Sequence, residues 1–182
     1  MYEVEFMGDV WSFHLPRPSA AVLLAGMAGT GEEERLGGLM GFLEQVLSSS
    51  SLDRLLERAM TSGDPLEVGH VAELIELIVQ EHSARPFHVC VTLSATAVQQ
   101  WPQVRGRLVL AGVADPLREL PSLWALLDAV EALILEGMQK EEDQKKYYSR
   151  VYTPPIGTLS RSSSPPPGWA AEDEMAAFAD IE

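Results

Sequence analysis

Cysteine is all but missing from this chain. Cys90 stands alone, so no disulfide can close within one copy, and a reducing compartment is the natural setting. Val89 and Val91 flank it, which reads as a small apolar filler rather than a reactive thiol, although His88 is near. Metal ligands are also lacking. His14, His70, His82 and His88 are the only histidines, no two stand one helical turn apart, and Cys90 has no second cysteine to join it. No glycine loop leads into Lys-Ser or Lys-Thr. The small stretch Gly26-Met27-Ala28-Gly29-Thr30-Gly31 fits neither nucleotide fingerprint and reads as a junction between helices. No Gly-x-Ser-x-Gly elbow occurs. Carboxylates are many, but they fall on helix faces expected to be solvated, and no two are marked as a buried acid/base pair. These absences point to a protein that is not an enzyme and takes no cofactor and no metal.

Long apolar runs are absent too. A membrane span needs about 18 residues, and the apolar stretch Ala20–Ala28 has about half that. The start, Met1-Tyr2-Glu3-Val4-Glu5, is acidic where a secretion signal is basic. Positive charge is scarce, and the formal net charge is −14. Residues 1–86 carry 14 acids and 5 bases, and the other 96 residues carry 13 and 8. With both halves acidic, neither a nucleic-acid backbone nor a membrane is an expected partner; basic or apolar proteins are. The hydrophobic fraction, 46% of 182 residues, suffices for a globular core with a looser tail.

What is present is mostly helical pattern. Residues 2–15 read as a β-hairpin: Tyr2, Val4 and Phe6 alternate with Glu3 and Glu5, Gly8-Asp9 supplies a turn, and Val10, Trp11, Phe13 and Leu15 follow. Pro16 and Pro18 end the pairing. Ser19 is placed to cap a helix over Ala20–Ala28, and Thr30-Gly31-Glu32-Glu33 matches a capping box. Leu36, Leu39, Met40, Leu43, Val46 and Leu47 make one helical face, interrupted by Gly37, Gly38 and Gly41, each costing about 1 kcal/mol against alanine. Ser48–Ser51 reads as a linker. Leu52, Leu55, Leu56, Ala59 and Met60 form the next stripe. Asp64-Pro65-Leu66-Glu67 then opens a helix with core residues Val71, Leu74, Ile75, Ile78 and Val79. Ala84-Arg85-Pro86 closes it.

The uncharged run Phe87–Leu93 reads as a strand or an extended connector, and Ser94–Ala97 as the start of a short helix. Val104, Leu108, Val109 and Leu110 precede a break at Asp115-Pro116. Pro121 opens the strongest helix, with Leu123, Trp124, Leu127, Val130, Leu133, Ile134 and Met138 along a broad apolar stripe. A helix continued to Arg150 would be about 45 Å long at ~1.5 Å per residue. After Tyr152, Thr153-Pro154-Pro155 and Ser162–Pro167 are expected to lack a fixed fold. The terminal segment Trp169–Glu182 mixes Trp169, Met175, Phe178 and Ile181 with acids, a composition that suits docking on a partner, with a frayed tail as the default reading. Trp101, Tyr147 and Tyr148 are further candidate interface aromatics, with core or semi-core roles favoured for Trp101 and Trp124. The fold class is mainly α. A short N-terminal β-hairpin packs on a small helical domain (1–86), then a connector (87–100), a helical extension (101–152) and an acidic tail (153–182) follow.

Several of these features together resemble the tail assembly chaperones of siphophages that infect actinobacteria. The hairpin leading into Leu15-Pro16-Arg17-Pro18-Ser19-Ala20-Ala21, and the helices ending at Ser83-Ala84-Arg85-Pro86, resemble the N-terminal domain of that family. Trp101–Leu110, Asp115-Pro116-Leu117-Arg118, Leu123–Gly137 and Tyr152-Thr153-Pro154-Pro155 resemble the extension carried by the longer, frameshifted product. The chain departs from the short product by continuing into Phe87–Leu93 instead of a polar Ser/Thr/Pro-rich tail. The resemblance implies a chaperone that coats the tape-measure protein and recruits tail-tube subunits. It would work beside a short form of itself in the host cytoplasm, without being retained in the virion. It carries no catalytic residue. Candidate partner-binding residues are Leu123, Trp124, Leu127, Val130 and Ile134 in the extension, with Trp169 and Phe178 in the tail. Two other classes stay open: a structural minor tail component, and an acidic regulator that mimics DNA.

Overall fold

A period of two makes the first element. In the computed structural model, which describes residues 1–29 and 31–153, β1 (Tyr2–Phe6) pairs antiparallel with β2 (Asp9–Phe13), Val4 opposite Trp11. The turn sits one residue earlier than the sequence reading places it. Met7 (φ 52°) and Gly8 (φ 79°) are both left-handed, the conformation whose twist suits a two-residue hairpin loop, and Asp9 already pairs with Phe6. Trp11 and Phe13 point inward and are fully buried, and the Trp11 indole donates to the Phe6 carbonyl at 3.0 Å.

Nine helices follow among the described residues: α1 (Ala20–Met27), α2 (Glu32–Val46), α3 (Ser49–Met60), α4 (Val68–His82), α5 (Phe87–Gln99), α6 (Trp101–Leu110), α7 (Pro116–Glu119), α8 (Leu123–Glu136) and α9 (Glu141–Tyr152). The fold class is therefore the mainly helical one, with an N-terminal hairpin. The α2–α3 junction closes the open edge of β2, which would otherwise leave backbone groups unpaired. The Ser48 N–H donates to the Ser12 carbonyl at 2.9 Å, the His14 N–H to the Val46 carbonyl at 2.8 Å, and the Ser12 N–H to the Ser51 hydroxyl at 2.9 Å. Ser48–Ser51 is thus no linker. Ser48 caps α3 by accepting the Ser51 N–H, and Ser51 is buried against the strand.

Other caps also differ from their sequence reading. Ser19 is itself in helical conformation and its hydroxyl accepts from Gln45 Nε2, so it does not cap α1. The capping box at Thr30 involves a residue outside the described ones. Asp64 does not cap α4. It accepts the Leu66 N–H at 2.8 Å and two donors of Arg58, which also donates to Asp9 of the hairpin at 2.7 Å. The hydrogen bond from Arg58 holds the Asp64 carboxyl below its ordinary range. With Asp64 so engaged, α4 starts later, at Val68, capped reciprocally by Glu67 and His70.

The run Phe87–Leu93 is neither strand nor extended connector but the first part of the helix α5, which continues through Ser94–Ala97, where a helix was expected, to Gln99. Its β-branched residues are accommodated because Thr92 and Thr96 donate to the carbonyls of His88 and Thr92, one turn back. Tertiary burial then outweighs the modest propensity penalty: Val89, Cys90, Leu93 and Ala97 are all buried. α5 packs on α1, α8, α4, α6 and α9. One continuous core therefore runs from Trp11 to Val130. The single long helix considered from Pro121 does not form. Ser122 caps α8, which ends at Glu136, and the chain reverses through Gly137–Lys140 into α9. Of the tail at 153–182, all but Thr153 lies outside the described residues.

The expected core face of α4 is buried at Leu74, Ile75, Ile78 and Val79. That of α3 is not: Leu55 is buried, but Leu56 is 40% and Met60 86% exposed. The three glycines of α2 separate by face. A Cβ on Gly38 would stand 2.7 Å from the Leu23 carbonyl of α1, and one on Gly41 would stand 2.9 Å from the Leu23 side chain, whereas one on Gly37 meets nothing within 4 Å. The close α1–α2 approach therefore requires glycine at position 38. Gly38→Ala is expected to destabilise by about 1–3 kcal/mol through overpacking. Gly37→Ala is expected to stabilise by about 1 kcal/mol through helix propensity. Urea unfolding of the two variants checks the contrast.

Candidate functional site

Arg85 lies where the chain passes from α4 to α5, and it is held by α8. Its guanidinium donates to Glu131 through Nε (2.9 Å) and Nη2 (2.6 Å), and to Asp128 through Nη1 (2.6 Å). The Arg85 and Glu131 side chains are only 17% and 9% exposed, so this pair is largely shielded from water. Burial alone would lower the Arg85 pKa, but the bonds and charges of Glu131 and Asp128 outweigh it and hold the guanidinium above its ordinary range. The other oxygen of Glu131 accepts the Tyr152 hydroxyl at 2.8 Å and the Tyr147 hydroxyl at 3.4 Å. The His88 ring contacts the Val151 carbonyl at 3.1 Å. These bonds fold α9 back over α5 and α8. Burial first, and then the Glu131 charge, raise the Tyr147 phenol above its usual range. Burial and the Glu131 hydrogen bond push Tyr152 up to about 12.

Folding α9 back creates a groove. α5 and α8 form its floor, with α9 on one side and α6 on the other. A cavity of about 390 Å³ is lined by Thr92, Leu93, Thr96, Ile134, Met138, Tyr147 and Val151, with Asp143, Lys146 and Arg150 among its polar residues. An adjoining cavity of about 180 Å³ shares Thr96 and Ile134 and continues past Val130 and Leu133 to Gln103 and Arg107. From Val130 to Ile134 the groove follows α8 for about 6 Å at ~1.5 Å per residue, and Met138 lines it just beyond the helix end. Positive charge gathers there in an otherwise acidic protein. All three lysines of the chain, Lys140, Lys145 and Lys146, lie at or near the start of α9. Lys145 pairs with Glu141 and Arg107 with Glu136, but Lys146 and Arg150 form no ion pair among the described residues.

The structure separates the candidate residues. Leu123, Leu127 and Val130 are at most 1% exposed and belong to the chain's own core. The reason is α5: the stripe on α8 covers that uncharged helix, which had been read as connector. Trp124 is half-buried against the core, with its indole nitrogen lacking a partner among the described residues. Ile134 lines both cavities of the groove, and Val130, though buried, lines the second. Trp101 packs on the core, Tyr147 lines the groove, and Tyr148 is 44% exposed beside Tyr147 and Tyr152. Trp169 and Phe178 lie outside the described residues. Sequence reasoning passed over Glu131, placing all carboxylates on solvated faces. A signal was there: Glu131 stands four residues after Leu127 and three before Ile134, on the apolar stripe itself. Cys90 is buried, and burial pushes its thiol up, which suits a filler. Among the described residues no group of three or more His, Cys, Asp or Glu is placed to hold a metal ion.

Two outcomes follow from the polar junction. Arg85→Ala leaves the shielded Glu131 without its cation and is expected to cost about 3 kcal/mol, read by urea unfolding at neutral pH. Tyr152 has a pKa raised from 10.0 to about 12 in the folded state. Its contribution to stability is therefore complete below the ordinary phenol value and is lost as pH rises through about 12. Stability should fall across that alkaline window, and Tyr152→Phe should lessen the fall while lowering stability at pH 8.

No curated protein and no solved structure matches the chain. Two family models do. Residues 96–181 match a family of unknown function (DUF7240), and residues 1–86 match a family described as phage tail assembly chaperone protein. Each match covers 86 of the 182 residues, and the chaperone match ends at Pro86, beside the arginine that binds α8. The N-terminal part of this chain is thus similar to phage tail assembly chaperones, and that similarity supports a role in building a phage tail.

Proposed function

We propose that this protein is a non-enzymatic chaperone that holds the tape-measure protein and recruits tail-tube subunits while a phage tail is assembled. The observation that carries the reading is the family match over residues 1–86. A helical client with apolar stripes needs an apolar surface to lie on, and the uncovered face of α3 at Leu56, Ala59 and Met60 offers one within the matched region. In the second half, Val109 and Leu110 of α6 and Leu117 of α7 are exposed, Leu110 by 83%, and offer a separate surface for the tube subunit. The net charge of −14 suits a chaperone that works in many copies, because like charges keep the copies apart.

The chain is read as the long form of a frameshifted pair. Only residues 87–95 separate the two family matches, as for two joined pieces. A short form ending near Pro86 would lack α5, the helix that packs on α1. Both forms act in the host cytoplasm and leave before the virion is complete, so the protein is expected to be absent from purified particles by mass spectrometry. A structural minor tail component would be present.

Two exposed substitutions test the divided role with little risk to folding. Met60→Asp is expected to lower capture of co-expressed tape-measure protein at least about ten-fold, because an unpaired charge would be buried on binding. It should spare capture of the tube subunit. Leu110→Asp is expected to do the reverse. Equal loss of both partners in either variant, or no loss in both, would refute the division.

A further inference from the structure

We propose that the groove between α5, α6, α8 and α9 is a docking site whose occupant is this chain's own terminal segment, residues 169–182. This goes beyond the chaperone reading and does not depend on which tail protein is served. The first support is charge. The segment carries Glu172, Asp173, Glu174, Asp180 and Glu182 and no base, while the groove presents Lys146 and Arg150 without ion-pair partners among the described residues. Asp143 is the acidic exception on the rim.

Shape and reach agree. Met175, Phe178 and Ile181 recur every three residues, the spacing of one helix face. Two adjoining cavities along α8, sharing Ile134, present an apolar floor to such a face. The larger, about 390 Å³, lies within the range of roughly 300–1,000 Å³ typical of pockets that enclose a ligand. The described chain ends beside the groove, because Arg150 and Val151 line it. Residues 154–168 could span about 50 Å at ~3.3 Å each, several times the length of the groove. Tethering of this kind replaces a bimolecular encounter with an intramolecular one, so weak contacts suffice. The match to the family of unknown function also covers α6, α8, α9 and the segment as far as residue 181, placing groove and occupant in one unit.

Zero-length carbodiimide cross-linking of the full chain, followed by peptide mapping, tests this. Cross-links are expected within one chain between Lys145 or Lys146 and the carboxylates of 172–182, with a yield that does not change on dilution. Phe178→Asp should lower that yield about ten-fold and raise amide exchange over residues 130–138. Lys146→Glu with Arg150→Glu should do the same. Adding Glu172→Lys, Asp173→Lys and Glu174→Lys to that variant should restore cross-linking with the polarity reversed, which a misfolded protein would not do. Cross-links found only between chains, in a species of dimeric mass, would make a second copy the occupant and overturn the proposal. So would a yield and an exchange rate unmoved by Phe178→Asp and by the charge reversal.

Discussion

A helix of thirteen residues without one Asp, Glu, Lys or Arg has to be covered, and the rest of this structure is arranged around covering α5. Its faces are taken by α1, α4, α6, α8 and α9. Val89, Cys90, Leu93 and Ala97 each lie at 1% exposure or less. Fully burying a Val or Leu side chain contributes about 1.5–3 kcal/mol, so several at once give α5 a larger share of the core energy than any helix-capping contact could. The stripe on α8 is broad for the same reason. Leu123, Leu127 and Val130 look like surplus apolar surface until α5 is placed beneath them.

The part matched to tail assembly chaperones and the part matched to the family of unknown function are joined by more than the chain between them. Three kinds of contact cross between them. The apolar one is α5 between α1 and α8. The ionic one is Arg85, just before the boundary, with Asp128 and Glu131. The third is a backbone bond in which the Leu123 N–H, an otherwise unpaired donor at the start of α8, donates to the Pro16 carbonyl at 2.8 Å. The same Leu-Pro-Arg-Pro segment that leads out of the hairpin therefore anchors α8. A shielded ion pair of the Arg85 type adds little net stability against an apolar replacement, but breaking one side of it is costly. That asymmetry makes it a register lock: α8 can slide along α5 only by leaving a charge unpaired.

α9 shows how a helix with no fully buried residue is nevertheless held in place. Its first turn has Glu141, Glu142 and Asp143, and its last has Arg150, matching the helix dipole at both ends. Docking comes from the two tyrosine hydroxyls on Glu131 and from the His88 contact with the Val151 carbonyl. These polar bonds, with Val151 and Tyr152 packed against the core, bring α9 back across α5 and make the groove's wall. A helix running straight on from α8 would have left that floor open to water.

Local pattern determined much of this protein. Alternation at Tyr2–Phe6 dictated the hairpin, and spacings of three and four dictated the inward face of α4, whereas in α2 they picked out Leu43 and Val46 but passed over the fully buried Phe42. The hairpin with its Leu-Pro and Arg-Pro landmarks carried the resemblance that the family match over residues 1–86 supports. These are short-range properties, decided by the 2.0 and 3.6 residue periods and by proline's missing donor. The tertiary structure decided the rest. Phe87–Gln99 has a composition that suits strand as well as helix, and only burial by five neighbours settles it. The roles of Arg85, Glu131 and Tyr152 rest on contacts between residues 46 and 21 positions apart, which no local pattern records. Which glycine of α2 is indispensable depends on which side faces α1. The groove belongs to this second kind: its walls come from four helices spread over residues 87–152, brought together by a core that must cover an uncharged helix.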